Sequence, residues 1–311
     1  MSHKQLYLYF PFWRKQYFFS KEAHKNSKLA NMCVPYNFFA RITWKVWNNF
    51  SIFRSISRAY EDDLPIPLKE IYKITGIQSD LDFIQNTGTS GPDQKSTAVV
   101  YSHDINRYFF IKYSKTKRGN ILLRNEVNTL SQLPPDNIYP KIINYSISDE
   151  YCWYMSSYIS GEKLLNNDFD INIYNLLLKI NKLNINTNNS NKADIKYVFS
   201  HGDFCPWNIL LDSSSLKIID WEMASYLPLG YDLFTFIFQS NFLLNPTISA
   251  STLLVKNKYW IIKYFKEFGI INWEIYLNKY IEWRIKQMGN HLEYTKILLK
   301  YNSLLEQCNI N

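Results

Sequence analysis

Three side chains stand at a spacing that suits the handling of a phosphoryl group. Asp203 and Asn208 lie five residues apart in HGDFCPWNILLD (201–212), and Asp220 follows an apolar run in KIIDWE (217–222). Phosphoryl transfer asks little covalent work of a protein. It needs cations on the phosphates, an oriented nucleophile and stabilised charge. Magnesium takes oxygen ligands and keeps several waters, so one amide oxygen and one carboxylate suffice. Asn208 and Asp220 are the candidate metal ligands, and Asp203 is the candidate group to orient an acceptor hydroxyl and take its proton. The plainer reading is ordinary loop chemistry beside Gly and Pro. It does not explain several residues at fixed spacing, each flanked by an apolar strand.

The upstream half supplies candidates for a nucleotide grip. Lys112, at the end of the strand-like RYFFIKYS, is placed to meet α- and β-phosphates, and Glu126 in the following helix RNEVNTL is placed to pair with it. Either residue alone would read as a solvated surface charge; their order upstream of the catalytic loop favours function. Cys205 sits inside the loop without a His–Asp arrangement to activate it, and reads as a packing residue. Glu222 follows the metal carboxylate directly and reads equally well as structural.

The motif HGDxxxxN followed by a strand and IDW resembles the aminoglycoside phosphotransferase and choline kinase superfamily, carried here by His201, Gly202, Asp203, Asn208, Ile219, Asp220 and Trp221. The resemblance implies a two-lobed protein-kinase-like fold and use of ATP with magnesium. It implies Asp203 as catalytic residue, Asn208 and Asp220 as metal ligands, and His201 as a structural member of the loop. Asp232, in LPLGYDLF, would buttress that loop. The turn NTGTSG, with Gly88 and Gly91, falls where the family covers phosphate with backbone amides. MSSYISGEKL resembles the hinge, whose backbone at Ser156, Ser157 and Tyr158 would meet the adenine edge. The likeness spans about residues 80 to 245. An Asn-rich stretch (184–192) stands where many relatives carry more helix, so the acceptor pocket does not carry over. A small-molecule hydroxyl is the expected acceptor, a bacterial envelope sugar or lipid-linked glycan among the candidates. A catalytically silent nucleotide-binding scaffold, or a membrane-surface binding module, is the alternative.

The elements that must position these residues form an α+β pattern. Residues 1–75 read as a basic, aromatic extension. From 76 to 158 short alternating runs (LDFIQ, TAVVYS, RYFFIKYS, KIINYSIS, YCWYMSSYI) predict an antiparallel nucleotide-binding lobe with one helix, GNILLRNEVNTLSQL. From 159 to 311 the pattern is mainly helical. Ile173, Leu176, Leu177 and Ile180 share one helix face, and four more helices follow Tyr231.

Composition narrows the classes further. Hydrophobic residues at 46% and charged residues at 20% describe a globular chain. Four scattered cysteines without a CxxC pair argue against a zinc site or disulfide framework and for a reducing, cytoplasmic setting. The N-terminus lacks a signal-peptide core, and no stretch approaches the ~20 apolar residues of a membrane span. Residues 1–60 hold ten Lys/Arg against Glu22 alone, a local +9 in a chain of net +8, together with sixteen aromatics. Three readings follow: aromatics covering the first lobe with cations in water, attachment at the inner face of an anionic membrane, and nucleic-acid binding, which no recognisable motif supports.

Overall fold

The computed structural model describes residues 7–11, 15–20, 23–26, 29, 38–50, 56–78, 81–164, 166–183, 185, 195–245, 247–288 and 295–309. The chain divides into two compact units, residues 1–131 with 139–159, and residues 132–138 with 160–311. One is built on an antiparallel sheet and the other is mainly helical, which makes the fold α+β. Apart from Ile185, the Asn-rich stretch lies outside the described residues, as does Cys33.

Eight strands make the sheet of the first unit: β1 (Tyr7–Phe10), β2 (Tyr17–Phe19), β3 (Arg58–Ala59), β4 (Leu81–Asn86), β5 (Ser96–Ser102), β6 (Arg107–Ser114), β7 (Ile142–Ile147) and β8 (Cys152–Ser157). Their order is β3-β1-β2-β4-β5-β6-β8-β7, with neighbouring pairs antiparallel. Period-two alternation assigns the faces. One face carries Ala98, Val100, Phe109, Ile111 and Met155, and packs with Ile71 and Ile74 of the helix Leu68–Thr75. The opposite face is covered in two places. Helix α1 (Phe38–Asn49) sets Trp44 and Trp47 against Phe10, Phe19 and Ile84. With Leu68–Thr75 as α2, helix α3 (Lys117–Gln132) sets Leu123 and Val127 against Cys152 and Tyr154.

Within residues 1–75, expected as a separate extension, the described strands β1, β2 and β3 belong to this sheet. Tyr7, Phe10, Phe18, Phe19, Trp44 and Trp47 are all at most 4% exposed. Full burial of such side chains stabilises by about 1.5–3 kcal/mol each, enough to hold the segment in place. A buried amide fastens it as well: the Ile66 N–H donates to Gln85 Oε1 at 2.8 Å, and Gln85 Nε2 donates to the Ile66 carbonyl at 3.0 Å. Gln85→Leu leaves both main-chain groups of Ile66 buried without partners. At about 1–3 kcal/mol per group, it should lower the urea midpoint of the whole first unit, read by tryptophan fluorescence. A loss confined to the N-terminal segment would show that the segment folds apart from the sheet.

In the second unit, helix α4 (Ile171–Asn181) begins at Asp170, whose carboxylate accepts from the N–H groups of Asn172 and Ile173. Strand β9 (Glu162–Lys163) precedes this helix, and β10 (Tyr197–Ser200), β11 (Ile209–Asp212), β12 (Ser215–Ile218) and β13 (Ser225–Pro228) follow it. They pair as β10-β13 and as β12-β11-β9. The chain then runs through α5 (Tyr231–Phe234), a π-helical turn (Thr235–Gln239) and α6 (Ser240–Leu244). It ends with α7 (Ala250–Glu267), α8 (Trp273–Met288) and α9 (Thr295–Asn309). Among the described residues no helix is long and apolar enough to cross a membrane.

Candidate active site

The loop from His201 to Asn208 takes its shape from one buried carboxylate. Asp232, 1% exposed on α5, accepts the His201 N–H at 2.7 Å and the Gly202 N–H at 2.9 Å. Gly202 adopts φ +83°, and a Cβ there would stand 2.1 Å from the Met223 carbonyl oxygen, so only glycine fits this crossing. The His201 ring is fully buried. Its Nε2 lies 3.0 Å from the Ile219 carbonyl, and its Nδ1 accepts the Asp203 N–H at 3.3 Å. A carbonyl needs a donor and an N–H needs an acceptor, so the ring is the neutral tautomer protonated on Nε2. Burial, which lowers the His201 pKa, agrees. The imidazole thus ties the Asp203 turn to the chain just before Asp220.

Asp203 is held by three donors. Asn208 Nδ2 reaches Oδ2 at 2.8 Å, Gln239 Nε2 reaches Oδ1 at 3.3 Å, and the Cys205 thiol reaches Oδ1 at 3.4 Å. Asn208 Nδ2 also donates to the Asp203 carbonyl at 3.0 Å. Both amide hydrogens are thereby used, which fixes the amide's orientation and leaves Oδ1 as the atom suited to a cation. The Asn208 carbonyl accepts the Ile219 N–H at 3.0 Å, so Asn208 lies beside the residue preceding Asp220. Asp220 has φ 72° and ψ 61°, a left-handed conformation that costs a non-glycine residue about 1–2 kcal/mol. Strain of this kind persists where surrounding structure imposes it, and clusters at functional sites. Carboxylate oxygens of Asp220 and Glu222 lie within 4.8 Å of each other. Cys205 is buried, and burial raises its thiol pKa well above the ordinary 9.0, which suits packing and not nucleophilic attack.

In the first unit, Lys112 of β6 and Glu126 of α3 form an ion pair at 2.7 Å, with side chains 8% and 1% exposed. A pair so buried is weak support for stability, since desolvation offsets much of its attraction. The nucleotide-grip reading gives it a purpose. The other grip candidates depart from expectation in detail. Gly88 takes φ +72° in the β4–β5 connection, but its N–H already donates to Asn86 Oδ1 at 2.7 Å, so this amide is committed within the turn. Gly91 (φ 145°) uses its carbonyl to accept the Gln94 N–H. Ser156 and Ser157 lie inside β8, between β6 and β7, and the Ser157 N–H donates to the Lys141 carbonyl at 2.8 Å. That ladder bond takes main-chain capacity the hinge expectation had assigned to adenine. Tyr158 follows the strand, with its ring 5.9 Å from that of Tyr108.

Gln239 was not visible in the sequence as a site residue. It stands seven residues beyond Asp232, at the end of the π-helical turn Thr235–Gln239, and its amide meets Asp203. Such turns recur at functional sites.

Burial pushes the Asp232 pKa up from 3.8 to about 7, against the two N–H bonds that pull it down. The folded-state value lies above the unfolded one, so this contribution to stability is complete below about pH 4 and is lost as pH rises through about 7. Asp232→Asn must turn its NH2 toward one of two main-chain N–H groups, costing about 1–3 kcal/mol. Urea titrations from pH 4 to 8 should show that deficit and a weaker decline with pH than in the wild-type chain. Parallel pH curves would mean that Asp232 titrates normally.

The phosphotransferase enzyme family model matches residues 185–250, the segment that holds the candidate residues Asp203, Asn208 and Asp220. No curated protein matches the chain. Among solved structures it is similar to an ethanolamine kinase of Plasmodium vivax, at 14% identity and TM-score 0.49, covering 88% of this chain and 89% of that one. It is similar to a thermostable mutant of the aminoglycoside phosphotransferase APH(4)-Ia, at 12% identity and TM-score 0.45, covering 78% and 97%. A third is an amicoumacin kinase in complex with AMP-PNP and Ca2+, at 10% identity and TM-score 0.47, covering 78% and 94%.

Proposed function

We propose that this chain is a small-molecule kinase that moves the γ-phosphoryl group of ATP, with magnesium, to a hydroxyl. The observation that carries this reading is the state of Asp203: a half-buried carboxylate held at both oxygens, beside an amide turned to leave its own oxygen open. A nucleotide-binding scaffold would have no use for a carboxylate so held. The oxygen donors Asn208 and Asp220 fit magnesium, with Glu222 close by. The ion, when bound, would neutralise phosphate charge.

Asp203 would orient the acceptor hydroxyl and take its proton as the acceptor oxygen bonds to the γ-phosphorus and the bond to the β-phosphate oxygen breaks, releasing ADP. Lys112, held by Glu126, would take the charge of the α- and β-phosphates. General-base positioning contributes about 10²–10⁴-fold. Asp203→Ala should therefore lower kcat by about that factor in an ADP-release assay while nucleotide affinity holds. Asp220→Ala should weaken nucleotide binding only when magnesium is present. Equal turnover in Asp203→Ala would remove the residue from the chemistry.

For residues 1–60, the aromatics named above cover the sheet, but α1 also presents an outward row. Phe39, Ile42, Val46 and Phe50 are 76%, 46%, 37% and 57% exposed, beside Arg41 and Lys45. That row supports contact with an anionic lipid surface, and with it a membrane-linked sugar as acceptor. Sedimentation with phosphatidylserine vesicles should exceed that with phosphatidylcholine, and Phe39→Ser with Ile42→Ser should abolish the difference. Equal recovery on both vesicles would exclude the contact.

A further inference from the structure

The two margins of the eight-stranded sheet are unlike. One is β3, two residues long with Arg58 exposed; the other is β7, Ile142–Ile147, with β8 its one neighbour among the described residues. A marginal strand is commonly blunted by charge or proline, and IINYSI has neither. Its side chains also stand out: Ile143 and Tyr145 are 43% and 52% exposed. The Tyr145 N–H donates to Asn144 Oδ1 at 2.9 Å, a side chain of its own strand, so it faces away from β8. Main-chain direction repeats every second residue, which turns the Ile147 N–H and carbonyl outward as well. The bulge between Ile142 and Asn144 lies before this stretch and leaves residues 144–147 in regular register with β8.

This edge is complementary to itself. Set antiparallel on a second copy with Tyr145 at the two-fold axis, Tyr145 meets its own counterpart as a doubly hydrogen-bonded pair, Asn144 faces Ser146, and Ile147 faces Ile143. The ends agree in charge. Lys141 stands exposed just before the strand, and Asp149 and Glu150 stand exposed just after it. Antiparallel pairing therefore sets the basic start of each copy against the acidic end of the other. Asp149 also meets Arg124 at 3.6 Å, an exposed pair of little energetic weight. A head-to-tail contact of β7 on β3 would set six residues against two and would not close, whereas a two-fold contact closes at two copies.

We infer that two copies of this chain join through β7, continuing one antiparallel sheet across a two-fold axis. Sedimentation velocity of the full chain over a concentration series reads this directly: wild type should pass from monomer to dimer as concentration rises. Tyr145→Lys sets two ammonium groups opposite each other at the axis and should raise the dimer dissociation constant about tenfold or more. An unchanged melting temperature at low concentration would show that its fold is intact. Lys141→Glu should weaken the dimer, and Lys141→Glu with Asp149→Lys and Glu150→Lys should restore it, an exchange to which a contact with a different protein would not respond. Tyr145→Cys should give a disulfide-linked dimer on oxidation, because hydrogen-bonded antiparallel partners lie about 5.5 Å apart at Cα. Val255→Cys, at a position 75% exposed on α7, should not. A wild type that stays monomeric at every concentration overturns the inference, whether or not another protein binds the edge. So does a dimer that Tyr145→Lys leaves intact, and so does one that Tyr145→Cys does not crosslink.

Discussion

A single buried carboxylate organises the second unit. Asp232 accepts two consecutive main-chain N–H groups, and those two bonds turn the chain sharply enough to present Asp203. The remaining contacts depend on that turn. His201 can bridge to the Ile219 carbonyl only once its own main chain is anchored, and Asn208 can grip Asp203 at both the side chain and the carbonyl only when the loop is closed. The turn also needs a residue without a side chain where it crosses Met223. A buried acid against a helix start is thus less a stabilising device than a fixed point from which the geometry of a catalytic loop is measured.

Much of this was legible in the sequence because it is local. HGDFCPWN and IDWE place two carboxylates and an amide, the candidate site residues, within twenty residues, and short-range hydrogen bonds do the rest. The strands of the first unit were legible for the same reason: TAVVYS and RYFFIKYS alternate and are joined by a tight connection, so their register is nearly implied by their order. Lys112 and Glu126 were legible as a pair since strand and helix follow directly, and they meet at 2.7 Å.

What escaped is what depends on distant partners. YLYF and YFF are too short to signal strands alone, and they become β1 and β2 through pairing with each other and with β4, some seventy residues on. Gln239 meets Asp203 across thirty-six residues of chain, a contact that no residue type announces. At Gly88 and Ser157 the residue types suited an open backbone, but the turn and the sheet had already used those amides.

The place of β2 has a wider consequence. A strand at the margin of a sheet leaves a row of open N–H and C=O groups that other chains can copy. Here β2 lies along β4, with β1 and β3 beyond it, so the margin has been moved outward to a strand only two residues long. The aromatic strands near the N-terminus therefore act as a selvedge for the sheet of the first unit. The inner strands of that sheet are not a detachable cassette; their solubility is written partly into residues that carry no motif.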